Sequence, residues 1–266
     1  MDRVKKLSQK KRIVIKVGSS TLSFSNGRIN LQRIESLATV LTKIHQDEVE
    51  VILVTSGAVA VGGGILGINK KPHNLSEKQA LAAIGQAELI RIYQKFFMEY
   101  DQVVAQVLLT KDSIVNPVRR ENACNTLNSL LNMDILPIIN ENDTVSTQGV
   151  EFGNNDILSA NVAVLIKADL LIMLSDIEGL YSADPKKVVN ATFIPIVTEI
   201  SPGLEKGARG SKNSFGTGGM TTKLDAVKIC FEAGIDTILT NGKEPEIIYD
   251  IIKGKEIGTY FVSGKT

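Results

Sequence analysis

Short apolar runs alternate with amphipathic stretches along this chain. IVIKV (13–17), VEVILVT (49–55), VVAQVLLT (103–110), ILPIIN (135–140), LLIMLS (170–175), FIPIV (193–197), DTILTN (236–241) and TYFVS (259–263) are short and rich in β-branched residues. Such runs predict buried strands. Between them the apolar positions take helical spacing. Leu31, Ile34, Leu37, Val40, Leu41 and Ile44 predict a helix over 31–46, capped by Asn30. Ser76 opens an S-x-x-Q capping pattern for a helix over about 77–99. Further helices are predicted over 119–132, in ILSANVAVLIKA after Asp156, over 220–233 and in PEIIYDIIKG. The alternating TVSTQGVEF (144–152) predicts a hairpin, placed between polar clusters as a lid over a small ligand would be. Residues 178–185 read as a polar turn and 198–217 as a mobile, glycine-rich segment. About eight strands alternating with helices predict an α/β fold: a parallel or mixed sheet covered on both faces.

Composition narrows the class without naming it. The 266 residues are 43% hydrophobic and 22% charged, with a formal net charge of +1. That is an ordinary globular balance, and it lacks the basic excess of a general nucleic-acid binder. No apolar run reaches the length of a membrane helix, so no membrane partner is expected. The basic start, MDRVKKLSQKKR, leads straight into the first strand and does not read as a signal peptide. Cys124 and Cys230 read as reduced thiols of a cytoplasmic protein, and with His45 and His73 they lack the spacing of a zinc site.

The chemistry-bearing residues sit where strands end. Gly18-Ser19, Ser56-Gly57, Asn140 to Asp143, Ser175-Asp176 and Asn241-Gly242 each follow a predicted strand. In open α/β sheets ligands bind beyond those carboxyl ends, so one surface would collect hydroxyls, amides, carboxylates and helix N-termini. Lys16 lies inside its strand. It is either on an edge with its ammonium in water, or buried and matched by a counter-charge or ligand. Gly216 to Lys228, GTGGMTTKLDAVK, reads as a glycine-rich turn feeding a helix. Either the glycines serve positive φ angles, or the free N–H groups and Lys223 make a phosphate site. A lysine at a helix start would add little to stability. Asp156 reads as either a helix cap or a site carboxylate, and Asp143 as an Asx-turn residue or a partner for an ammonium group. Gly62 to Gly67 spells G-x-G-x-x-G, but it begins too far beyond its strand for a dinucleotide turn. It fits a helix packed closely on a neighbour, or that helix's frayed end.

The pieces IVIKVGSS (13–20), VTSGAVAVG (54–62), INENDTV (139–145), FGNNDILSA (152–160), LSDIEGLYSADP (174–185) and GTGGMTTK (216–223) occur in this order over nearly the whole chain. Together they resemble the amino acid kinase family, and within it the members that act on free L-glutamate. The resemblance implies a three-layer α/β/α sandwich with a mainly parallel sheet of about eight strands, in a single domain over 1–266. Residues 1–167 would form the lobe for the amino acid and 168–266 the lobe for ATP. It implies transfer of a phosphoryl group from ATP, with Mg²⁺ on the phosphates, to the side-chain carboxylate of L-glutamate, the first step of proline synthesis. Lys16, Lys223 and Asp156 match the catalytic positions. Ser56, Gly57, Asp143, Asn155, Asn140 and Ser19 match substrate-binding positions. Lys16, Ser175, Asp176, Thr217, Gly218, Gly219, Met220, Thr221, Thr222 and Lys223 match the nucleotide-binding segments. No metal ligand among the protein's side chains is implied. Feedback inhibition by proline and a homodimer or homotetramer are implied as well. Two departures stand out. Asn154 replaces an acidic residue frequent in the family, and no C-terminal PUA-type RNA-binding domain follows the last strand, so the chain reads as a short form. The open alternatives are an amino acid kinase with N-acetylglutamate, aspartate, carbamate or UMP as acceptor, and a catalytically silent sensor.

Overall fold

The computed structural model describes residues 3–24, 28–68, 70, 72–145, 154–185, 187–201, 203–204 and 219–264. Its main sheet contains β1 (Arg12–Val17), β2 (Glu50–Val54), β3 (Val104–Leu109), β4 (Leu136–Glu141), β5 (Leu170–Ser175), β8 (Ile196–Val197), β9 (Asp236–Asn241) and β10 (Thr259–Phe261). Their order is β3-β4-β2-β1-β5-β9-β10-β8. Every neighbouring pair from β3 to β9 is parallel, while β10 runs antiparallel to β9. β6 (Leu180–Tyr181) and β7 (Phe193–Ile194) form a separate antiparallel pair. The helices are α1 (Arg3–Ser8), α2 (Ser19–Leu22), α3 (Leu31–Gln46), α4 (Ala58–Ile65), α5 (Leu75–Met98), α6 (Lys111–Val115), α7 (Pro117–Asn132), α8 (Asn155–Leu165), α9 (Met220–Glu232) and α10 (Ile247–Ile252).

The strand pleat sorts the core into two faces. Ile13, Ile15 and Val17 pack with Ile34, Leu37 and Leu41 of α3, Leu89 and Tyr93 of α5, and Ile248 of α10. Val14 packs on the other face with Leu158 and Val162 of α8 and Leu224 and Val227 of α9. The result is the expected three-layer α/β/α sandwich around a mainly parallel sheet. Each aliphatic side chain buried there contributes about 1.5–3 kcal/mol. Lys16 shares the period-two face of Val14, so the pleat directs it toward α8 rather than α3. Since β1 has β2 on one side and β5 on the other, Lys16 is not on an edge.

The predicted elements hold with corrections. Asn30 caps α3 as expected, its side chain accepting from Arg33 N at 3.1 Å. Leu31, assigned to the apolar face, is instead 49% exposed. The long helix begins at Leu75, and Asn74 rather than Ser76 caps it by accepting from Glu77 N. Asn beats Ser here because it stands one residue outside the helix, where its side chain can fold back on the first turn. The run 193–197 is two strands, broken at Pro195, which has no N–H to donate to a ladder. The polar turn at 178–185 contains β6. The basic start is not a bare lead-in: α1 buries Leu7, and its run of lysines masks the pattern. The helix expected at 119 starts at Pro117, capped by Asn116. The expected hairpin and the glycine-rich segment fall largely outside the described residues.

Two features fix how these elements meet. Gly62 of α4 and Gly85 of α5 face each other at backbone contact. A Cβ on Gly85 would stand 1.8 Å from Ala58 O, and one on Gly62 would stand 2.0 Å from Leu81 O. This accounts for Gly62, though not for the whole glycine run in α4, as packing; a Cβ on Gly64 would meet nothing within 4 Å. At the opposite end of the sheet from the strands' carboxyl ends, buried Asp236 clasps both chain termini. It lies 3.0 Å from Lys6 Nζ and 3.1 Å from Lys10 Nζ, and accepts from Tyr260 Oη at 2.8 Å and Ser263 N at 3.0 Å.

Gly85→Ala is expected to cost about 2–3 kcal/mol, the upper part of the overpacking range, because backbone rather than a flexible side chain blocks the new methyl. A lowered urea midpoint at unchanged m would record it. For Asp236, burial alone would raise the pKa, but Ser263 N–H, Tyr260 and the two lysines outweigh it and hold the carboxyl below its ordinary range. Its contribution is therefore present above the unfolded pKa near 4 and lost as pH falls through the folded value. Asp236→Asn should be less stable than the native chain at pH 7, and the gap should narrow below about pH 4 in melts at both pH values.

Candidate active site

Asp156 lies in the first turn of α8, fully buried. Its Oδ1 is 2.6 Å from Lys16 Nζ on β1, and its Oδ2 is 3.2 Å from Lys223 Nζ on α9. Both lysines are buried, at 7% and 5% exposure. One carboxylate thus holds two ammonium groups from distant parts of the chain. Burial alone would raise the Asp156 pKa, but the charges of Lys16 and Lys223 reverse this and hold the carboxyl below its usual range. Burial pulls Lys16 down, opposed by Asp156, reinforced by the charge of Lys223 and opposed again by Asp176. The arrangement carries two positive charges against one negative charge, which suits it to an incoming polyanion.

Asn154, not Asp156, caps α8: its side-chain oxygen accepts from Asp156 N at 2.7 Å and from Ile157 N. Its amide donates to Asp156 Oδ2 at 3.2 Å and to Thr222 Oγ1 at 2.8 Å. A carboxylate at 154 would present a second negative charge to Asp156, so the amide suits this chain's packing. Thr222 Oγ1 also lies 2.8 Å from Gly219 O and 3.3 Å from Asp156 Oδ2, tying the start of α9 to the start of α8. Lys223 is accordingly a buried, paired side chain rather than a surface lysine.

Asn155, next to Asp156 in the chain, forms a second group with Ser56 and Asn140, and the other expected residues make contacts of their own. Asn155 Nδ2 faces Thr55 O, Ser56 Oγ at 2.8 Å and Asn140 Oδ1 at 2.9 Å. Gly57 precedes α4 with φ +107°, a left-handed conformation that favours glycine. Gly18 lies beside Lys16, where an added Cβ would be 3.5 Å from its Nζ, and Ser19 follows as the first residue of α2. Asp143 pairs with Lys78 Nζ at 3.2 Å. Ser175 donates to Asp176 Oδ1 at 3.1 Å at the end of β5. Gly219, Met220, Thr221, Thr222 and Lys223 open α9. Thr217 and Gly218 lie outside the described residues. Among the described residues no group of three or more His, Cys, Asp or Glu side chains gathers as a metal cage. Among the described residues no helix is long and apolar enough to cross a membrane.

Sequence reasoning missed the supports behind this row. Tyr93 Oη bonds Thr55 Oγ1 at 2.8 Å, and Gln86 Oε1 accepts from Asn140 Nδ2 at 2.7 Å, both from α5. Burial raises the pKa of the Tyr93 phenol, against the lowering effect of its hydrogen bond with Thr55. A signal for Gln86 was present: it interrupts the buried stripe Leu81, Ala82, Leu89 and Tyr93, and a polar residue there must have a partner.

The family model described as the amino acid kinase family matches residues 11–241. The chain belongs to the amino acid kinase family. It is 50% identical over 265 residues to a glutamate 5-kinase of Clostridium perfringens, covering 98% of each chain. It is 52% identical to a glutamate 5-kinase of Listeria monocytogenes, over 97% of this chain and 95% of the relative. Among solved structures, carbamate kinase from Giardia lamblia bound to AMP-PNP superposes with a TM-score of 0.67 at 17% identity, over 96% of this chain and 99% of that one. That likeness carries the fold.

Asp156→Asn removes the carboxylate that two buried ammonium groups share. It is expected to cost about 3–5 kcal/mol, the range for breaking a buried ion pair. Chemical unfolding at pH 7 would measure it, and an unchanged midpoint would contradict the electrostatic account.

Proposed function

We infer that this chain phosphorylates the side-chain carboxylate of L-glutamate with ATP, giving L-glutamyl 5-phosphate for proline synthesis. One observation carries the reading: two buried lysines held on a single aspartate at the strand ends, in a chain half identical to two glutamate 5-kinases.

The chemistry asks little of the protein beyond position and charge. A carboxylate with a pKa near 4.3 is already ionised at neutral pH, so the acceptor needs no general base. Its oxygen attacks the γ-phosphorus, the bond to the β–γ bridging oxygen breaks, and the electron pair leaves on ADP. Negative charge spreads over the transferring group, and two fixed ammonium groups stabilise it without reorganising. In this reading Lys16 and Lys223 take that role, and Asp156 keeps them in place and apart. Ser19 and Gly57, with Gly18 and Ala58, present N–H groups near the phosphoryl. Ser56, Asn140, Asn155 and Asp143 hold the amino acid, and Asp143 takes its ammonium. Ser175, Asp176 and residues 217–223 hold the nucleotide, and Mg²⁺ arrives on its phosphates as part of the substrate. The lobe of residues 1–167 serves the acceptor and that of 168–266 the nucleotide. Proline inhibition at the acceptor site, assembly as a dimer or tetramer, and a cytoplasmic location belong to the same proposal.

The direct test is ATP, Mg²⁺ and L-glutamate with hydroxylamine, which traps the acyl phosphate as a hydroxamate. L-aspartate, N-acetylglutamate and D-glutamate run in parallel. Hydroxamate from L-glutamate above the others is expected. Signal from another acceptor alone would keep the family and move the substrate, while nucleotide binding with no product would favour a sensor. Lys223→Met should lower kcat by about 10²–10³, the scale of losing one transition-state charge contact. Near-native turnover would remove Lys223 from the mechanism.

A further inference from the structure

Lys78 stands in the first turns of α5 with its Nζ 3.2 Å from Asp143 Oδ1. The two side chains are 33% and 18% exposed, so each keeps an open flank. Two turns along the same helix, Gln86 is hydrogen-bonded to Asn140 at 2.7 Å, and Asn140 meets Asn155 at 2.9 Å. The same helix α5 therefore carries both the support of Asn140 and the partner of Asp143, three residues further along the chain. The chain thus offers two separate cationic regions to one acceptor: the Lys16–Lys223 pair on Asp156, and Lys78 on Asp143.

We propose that Lys78 and Asp143 together recognise the charged head of the amino acid, with Lys78 taking the α-carboxylate and Asp143 the ammonium. The inference rests on the acceptor reading given above. An α-amino acid carries both charges on one carbon, and the Lys78–Asp143 pair offers the opposite charges side by side. Docking sets the ammonium of the amino acid against Asp143 and its α-carboxylate against Lys78, each charge beside its opposite. It also addresses a choice that the Lys16–Lys223 centre cannot make. L-glutamate has two carboxylates, and either would be attracted to that centre. A cation that captures the α-carboxylate leaves only the side-chain carboxylate to meet the phosphoryl group. Lys78 is thereby a specificity-determining residue.

Lys78→Met keeps the apolar stem and removes the charge. The KM for L-glutamate should rise about tenfold, the scale of a charge-assisted hydrogen bond partly exposed to water, while kcat changes less. The α-amide of L-glutamate, which lacks the head carboxylate, should show the same KM with the native and Lys78→Met proteins, as a cycle with the interacting group already removed requires. Lys78→Arg should recover most of the L-glutamate affinity. An L-glutamate KM unchanged by Lys78→Met overturns the assignment, as does an α-amide KM that rises equally, which would mark Lys78 as structural support. Failure of the acceptor reading would look different: the native protein itself would then give no hydroxamate from L-glutamate, and the Lys78 assignment would fall with it.

Discussion

A single carboxylate, Asp156, sits out of water between two ammonium groups, and the architecture around it is what makes that arrangement tolerable. Lys16 reaches it because β1 is the central strand and its pleat directs Lys16 to the α8 face. Lys223 reaches it because α9 packs beside α8 and starts at the same end of the sheet. Remove the carboxylate and two buried cations remain; remove the helices and the carboxylate is only a surface acid. The charge imbalance left in the folded state is one that nucleotide phosphates can offset, so the same electrostatics that burden the fold would bind the ligand.

The supports around this centre come from the opposite layer. Helix α5 packs against α4 at glycine contact, and through Gln86 and Tyr93 it fixes Asn140 and Thr55, which in turn fix Asn155. Close helix packing and site geometry are therefore one constraint. A shift of α5 away from α4 would move the hydrogen-bonding row beside Lys16. The Asp236 clasp works at the far end of the sheet, where it ties α1 and β10 to β9 without touching this row.

Local sequence signals carried some of this well. Asn30 and the 31–46 stripe specified α3 to the residue, because capping and helical periodicity are short-range. The strands were legible because a parallel sheet buried on both faces needs continuous aliphatic runs. Local reading failed at Ser76, since Asn74 makes the cap, and at Pro195, which split a run that hydrophobicity alone joined. The basic start hid α1, since its stability comes from Leu7 in the core and from Lys6 on a residue 230 positions away.

The sequence by itself determined the main strands and the longer helices, the carboxyl-end location of the chemistry and the family, since each depends on local pattern or on motifs in fixed order. Tertiary structure alone decided the partners. That Lys16 is buried and central, that Lys223 is paired rather than free, that Asn154 caps α8 and braces Asp156, and that Lys78 meets Asp143 are facts of strand order and helix register. Charge pairing between residues far apart in the chain has no short-range signature: it appears only when packing brings the groups within a few ångströms and removes the water between them.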